Sequence, residues 1–268
     1  MCDTFRTDLT GKLYPVFKVV LTLLALSFAL HASGAEFGNP TAQVTVSECI
    51  FQSGFECPPA PNAGPTIDGT VFNYWTLSPV ADALVITLAP PTIAISNEMG
   101  DYLLNGFDPN TTVTINVSKS PLFRQTRSIE ISIGEQSLDE DVFAAAESDI
   151  FRQFATVGEI EQDDRAIVIA EIRDSDQSPL EGIPQADIAL TNDAMAPVGN
   201  GPYFFGSGGD IDANLNASAA FQGRGARFAF LNVPSGEVTL TIALPPPDSN
   251  LTVTFNAEPN VAHLVLLH

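Results

Sequence analysis

The chain has 268 residues, with 32 Asp and Glu against 11 Lys and Arg and a formal net charge of −21 at pH 7. A surface of that sign repels phosphate backbones and anionic headgroups, which disfavours nucleic acid and the membrane surface as partners. Its 20 Pro and 19 Gly, with many Val, Ile and Thr, favour short strands over helices.

Residues 1–35 read as an export signal and not as part of a fold. Arg6, Lys12 and Lys18 form a basic start, and Val19 to Leu30 is an unbroken apolar or hydroxyl run. That run is shorter than the ~20 apolar residues of a membrane span. Small residues at Ser33 and Ala35 mark cleavage after Ala35. The rival reading is a retained single-pass anchor, but no stop-transfer charge cluster follows. Cys2 lies too far upstream of the cut to be a lipobox cysteine. Cleavage removes three basic and two acidic residues, leaving a net charge of −22 and Lys119 as the one lysine. The expected location is periplasmic or secreted, with no membrane span after cleavage.

Residues 36–65 read as a linker stiffened by Pro58, Pro59, Pro61 and Pro65. It carries Cys49 and Cys57, whose spacing suits a small disulfide staple in an oxidising compartment. A redox or metal pair would need C-x-x-C spacing or a nearby His, and neither is present. From residue 66 the punctuation is periodic. Strands are expected at 66–73, 83–88, 92–96, 101–104, 112–118 and 127–133, the last with Ile129, Ile131 and Ile133 on one face. Turns fall at Gly100 and at Asp108-Pro109-Asn110, making a first β unit over 66–134.

One helix is expected, over about 138–155. Ser137 and Glu140 have capping-box spacing, and Leu138, Val142, Ala146, Ile150 and Phe154 recur every four residues. The helix is the centre of a connector over 135–164. Its apolar strip suits a core face, or else a partner-binding surface. A second β unit over 165–268 follows, with strands at 166–172, 187–191, 227–231, 237–243, 251–256 and 261–267. Residues 192–217 read as a long loop rich in Gly, Asn and Asp.

The two units share a pattern. The first has Gly69-Thr70-Val71, Pro79-Val80-Ala81-Asp82-Ala83, Gly100-Asp101-Tyr102 and Asp108-Pro109-Asn110, then Val113-Thr114-Ile115. The second has Ala170-Glu171-Ile172, Pro179-Leu180-Glu181-Gly182-Ile183, Gly225-Ala226-Arg227-Phe228, Val233-Pro234-Ser235-Gly236 and Val238-Thr239-Leu240. This order resembles the carboxypeptidase regulatory-like domain, a transthyretin-like (prealbumin-like) β-sandwich. The expected fold is therefore mostly β, with two tandem transthyretin-like sandwiches joined by one helix behind a signal peptide. The resemblance implies a non-catalytic accessory, structural or adhesive module. Related surface domains form Lys–Asn isopeptide bonds from a first-strand lysine, a position that Lys119 does not occupy.

Enzyme constellations fail on inventory. His263 and His268 stand at the C-terminus without metal spacing, and no G-x-S-x-G elbow is present. Thirty acids offer many chance carboxylate pairs, and nothing singles one out. The site hypothesis with spacing behind it is calcium. Asp210, Asp212, Asn214 and Asn216 put oxygen ligands at alternate loop positions, without the Gly and Glu of a complete loop. Their bland reading is a solvated turn-rich loop. Carbohydrate binding through Tyr74 and Trp75 is the second candidate, because flat exposed aromatics stack on sugar rings. Core packing is its bland reading. The expected partner is an envelope protein or a glycan.

Overall fold

A computed structural model describes residues 64–268, apart from 129, 175, 222–224 and 245–249. The expected export signal, the Cys49–Cys57 pair and most of the proline-rich linker lie outside the described residues. The described chain is mostly β. Among the described residues no helix is long and apolar enough to cross a membrane.

The first half holds β1 (Ile67–Asn73), β2 (Leu84–Leu88), β3 (Pro91–Ile95), β4 (Asp101–Leu104) and β5 (Thr111–Val113). It continues with β6 (Ile115–Lys119), β7 (Phe123–Ser128), β8 (Ile131–Ile133), β9 (Leu138–Asp139) and β10 (Val142–Ala146). Helix α1 (Glu147–Val157) follows. The second half holds β11 (Arg165–Ile172), β12 (Ile188–Asn192), β13 (Asn200–Phe204) and β14 (Ala226–Pro234). It ends with β15 (Gly236–Ile242), β16 (Leu251–Ala257) and β17 (Val261–Leu267).

Three expectations need correcting. Helix α1 begins at Glu147, nine residues after Leu138. Leu138, Val142 and Ala146 fit a period of four, but 138–139 and 142–146 are strands laddered to β1 and β7. Long-range pairing overrides the local pattern. Ser137 makes no capping box, because its Oγ accepts the Thr66 N–H at 3.1 Å. The helix stops where Gly158 adopts φ 71° and donates its N–H back to Ala155 O. The stretch 112–118 is two strands that part at Thr114, with β5 pairing β8 and β6 pairing β2 and β7. The presumed loop 192–217 contains β13, whose Tyr203 and Phe204 pair with Ala229 and Phe228 of β14.

One sheet runs through both halves in the order β13-β14-β11-β17-β7-β10-β1-β4, with β6, β2 and β3 branching from β7. A second sheet, β12-β15-β16, faces it in the second half. The pairing logic repeats. β1 lies parallel to β10 and antiparallel to β4, as β11 does to β17 and β14. β6 joins β2 to β7, as β15 joins β12 to β16.

Two apolar cores lie inside the halves. The first includes Ile67, Val85, Leu104, Phe107 and Ile115, the second Ile172, Leu190, Phe204, Phe228 and Leu240. A third cluster sets Ile150 and Phe154 of α1 against Ile167, Ile169 and Ala229, on the opposite face of the second half's sheet. β11 and β14 are thus covered on both faces. That is why Ala166–Ala170 and Phe228–Val233 are continuous buried runs and not alternating ones. Each fully buried Phe, Ile or Leu adds about 1.5–3 kcal/mol relative to exposure.

Candidate functional site

The four expected calcium ligands are only partly brought together. Asp210, Asp212 and Asn214 line one shallow depression beside Gly206 and Gly208, while Asn216 lines another beside Pro184. Asp210 Oδ1 accepts Arg152 Nε at 2.9 Å, Arg152 Nη2 at 2.8 Å and Gln153 Nε2 at 2.7 Å. Burial pushes the Asp210 carboxyl up, but the bonds from Arg152 and Gln153 and the Arg152 charge outweigh it, leaving the group below its ordinary value. Asp212 Oδ1 accepts the Asn214 N–H at 2.9 Å, a local turn. Among the described residues no group of three or more His, Cys, Asp or Glu is placed to hold a metal ion.

The expected sugar-stacking pair sits against the core. Tyr74 is 7% exposed, and its ring meets Trp75, Phe143 and Phe205 edge-on at 5.1, 5.9 and 6.5 Å. Trp75 is half-buried and packs on the same cluster. Behind Tyr74 lies a buried cation, Arg227, whose guanidinium carbon is 5.5 Å from the Tyr74 centroid and 4.8 Å from that of Phe205. Desolvated cation–π contacts of this kind contribute about 2 kcal/mol.

Sequence reasoning left His263 without a role, and the structure gives it one. It is fully buried on β17, opposite Arg127 of β7, where the two halves join. Its Nε2 accepts the Glu258 N–H at 3.1 Å. Burial first, then the Arg127 charge, hold its imidazole down to about 4, so it is neutral at pH 7. Arg127 binds Glu258 through both terminal nitrogens, at 2.6 and 2.8 Å, and Asn116 through Nε at 2.7 Å. The expected strand over 127–133 does not reveal this seam: Arg127 lies on β7, whereas Ile131 and Ile133 lie on β8 against β5 and share no strand face with it. Lys119 donates instead to the Ala81 carbonyl at 2.6 Å.

Beside this seam the sheet splits. β10 and β17 abut the same edge of β7, β10 at Phe123–Arg124 and β17 at Gln125–Ser128, and then diverge. Between them opens a cleft of about 390 Å³, with Tyr74, Phe143, Ile169 and Leu264 among its apolar lining and Glu130, Glu140, Asp141 and Glu171 among its polar lining. Glu171 is neutralised by Arg173 at 2.7 Å. Burial first, then the charges of Asp141 and Asp139, raise the Glu140 carboxyl above its ordinary value. A concave apolar site of this volume with a few polar groups is the usual form of a binding pocket.

Neither a protein-family model nor a curated protein matches the chain. Among solved structures, the Bacillus anthracis TIE protein is similar at 10% identity and a TM-score of 0.26, over 76% of this chain and 34% of its own length. The chain therefore spans about a third of that protein. The minor pilin GBS52 of Streptococcus agalactiae is similar at 10% identity and a TM-score of 0.22, over 75% of this chain and 94% of its own. A Bacteroides uniformis protein described as carbohydrate binding is similar at 11% identity and a TM-score of 0.27, over 74% of this chain and 97% of its own. Likenesses this low carry no functional argument.

Proposed function

We propose that this chain is an exported, non-catalytic structural or interaction module of the cell envelope. In this reading two tandem transthyretin-like sandwiches, 66–134 and 165–268, are joined through 135–164, whose β9 and β10 ladder onto the first of them. The observation that carries it is the seam: one sheet crosses from half to half through β17 and β7, locked by the partly buried Arg127–Glu258 pair. A module that transmits or presents contacts gains from such a fixed junction. His263 is 0% exposed, and an imidazole with no accessible surface is poorly placed to exchange a proton with a substrate, which supports a role without catalysis.

The tandem reading is supported by a turn that occurs twice. Ser96 Oγ accepts the Ala83 N–H at 2.9 Å and donates to Val80 O at 2.7 Å. Ser218 Oγ accepts the Ile183 N–H at 2.9 Å and donates to Leu180 O at 2.9 Å. Export through residues 1–35 and a Cys49–Cys57 staple complete the proposal.

The test is fractionation of the full tagged chain, with intact mass measured on the exported form. Recovery outside the inner membrane without residues 1–35, together with cross-links to envelope proteins, is expected. A cytoplasmic, uncleaved product would sink it. Binding on a broad glycan array that disappears in Trp75→Ala would replace it with a carbohydrate-binding accessory.

A further inference from the structure

The cleft beside the seam is walled by strand edges as well as side chains. β17 is laddered on both edges up to Leu264. Beyond that point β11 follows it to Leu267, whereas among the described residues β7 supplies no partner for Leu266 and Leu267, which carry a ladder on one edge alone. β10 mirrors this: Val142–Ala144 pair with β1, and β7 takes only Ala145 and Ala146 on the other edge. Two half-paired strands thus contribute to a single cleft. Half-paired backbone beside an apolar floor is the setting in which an extended peptide adds as a strand. Leu266, in the lining, is 50% exposed and offers apolar surface to such a strand.

Charge selects the occupant. Glu130 and Glu140 line the cleft and have no cationic partner among the described residues. The crowding of Glu140 by Asp139 and Asp141 is relieved by an incoming cation. A second copy of this chain, at −21, brings more carboxylates and is repelled.

We propose that this cleft accepts an extended basic segment of a partner polypeptide, which pairs with the free edge of β17 while its Lys or Arg side chains meet Glu130 and Glu140. This rests on the interaction-module reading and names the partner's chemistry.

The experiment uses the full chain and fluorescently labelled peptides of about eight residues, the length of a strand. One alternates Val and Lys, one alternates Val and Glu, and one is the Val–Lys peptide with alternate backbone nitrogens methylated. The Val–Lys peptide is expected to bind, more weakly as salt rises, and the other two are not. Glu130→Gln combined with Glu140→Gln is expected to weaken binding by about tenfold, the equivalent of 1.4 kcal/mol. Leu266→Asp, at a half-exposed site, is expected to weaken it similarly while the urea midpoint holds. Equal binding to both variants, or no binding of the Val–Lys peptide, overturns the proposal. If envelope cross-links persist unchanged in Leu266→Asp, the module reading stands and the cleft does not.

Discussion

The turn after β1 and the turn after β11 do the same work with different side chains. Asn73 Oδ1 accepts the Trp75 and Thr76 N–H groups, and Asp174 Oδ1 accepts those of Asp176 and Ser178. Leu77 at φ 56° and Gln177 at φ 64° each stand two residues before the bridging proline, Pro79 or Pro179. Asp82 at φ 51° occupies the place of Gly182 at φ 80°, and the buried serine closes both. The two halves therefore share backbone stitching more than side-chain identity. They differ in cover. The second half's sheet is buried on both faces, with α1 and Tyr74 on the outer one, whereas β1 alternates between buried and open positions. The second half leans on the rest of the chain, through α1 and Tyr74 on its outer face and through the seam of β17 with β7.

The largest effects that break this comparison lie at the seam. Arg127→Ala leaves Glu258 and Asn116 without their partner and is expected to destabilise the protein by about 2 kcal/mol, below the ~3–5 kcal/mol typical of a fully buried pair because the Glu258 side chain is 37% exposed. Urea unfolding followed at two wavelengths checks it. A loss under about 1 kcal/mol would mean that the halves hold together without this pair.

Acid tests the same junction through His263. Its folded value of about 4 lies below the ordinary 6.5, so between these the unfolded chain binds more protons. Stability is full above about 6.5 and falls as pH drops toward 4, by roughly 3 kcal/mol at 1.36 kcal/mol per unit. Glu140, raised above its ordinary value, acts with the opposite sign, contributing stability at low pH that is lost as pH rises. Comparison with His263→Gln isolates the histidine. An unchanged slope between pH 6.5 and 4.5 in that variant would show that His263 is not the group responsible.

The serine turns sharpen the comparison. Ser96→Ala and Ser218→Ala each strand a buried N–H and a carbonyl, buried at Val80 and part-buried at Leu180, and are expected to cost about 2 kcal/mol apiece. Closely matched losses in the two variants support equivalence of the halves. A large loss in one alone would make the second serine incidental.

Strand positions were legible where apolar residues alternate or run unbroken, as in Leu84–Leu88 and Ala166–Ala170. The paired Pro79 and Pro179 turns were legible because Pro and the left-handed positions after it leave few backbone choices. The helix start was not, since Leu138 and Val142 satisfy helical spacing while β1 supplies the ladder from 71 residues away. The cleft was not legible either. It comes from β10 and β17 sharing one edge of β7, and that convergence of distant strands has no local pattern. Tyr74 misled for a related reason: an aromatic after a strand marks a loop tip or a wall equally well, and here α1 and β13 close over it.

The smallest expected effect concerns the acidic loop after β13. Arg152 is 46% exposed and Asp210 34%, so losing their pair in Arg152→Ala should cost about 0.5 kcal/mol in a urea melt. Its greater use is diagnostic. The guanidinium already supplies positive charge at Asp210, so a calcium ion has to displace it. Calorimetric titration is therefore expected to give little heat with the native chain and more with Arg152→Ala, an increase that Asp210→Ala combined with Asp212→Ala removes. Heat that is strong in the native chain and survives that double change would place any calcium elsewhere and leave Arg152 as a plain surface latch on the loop.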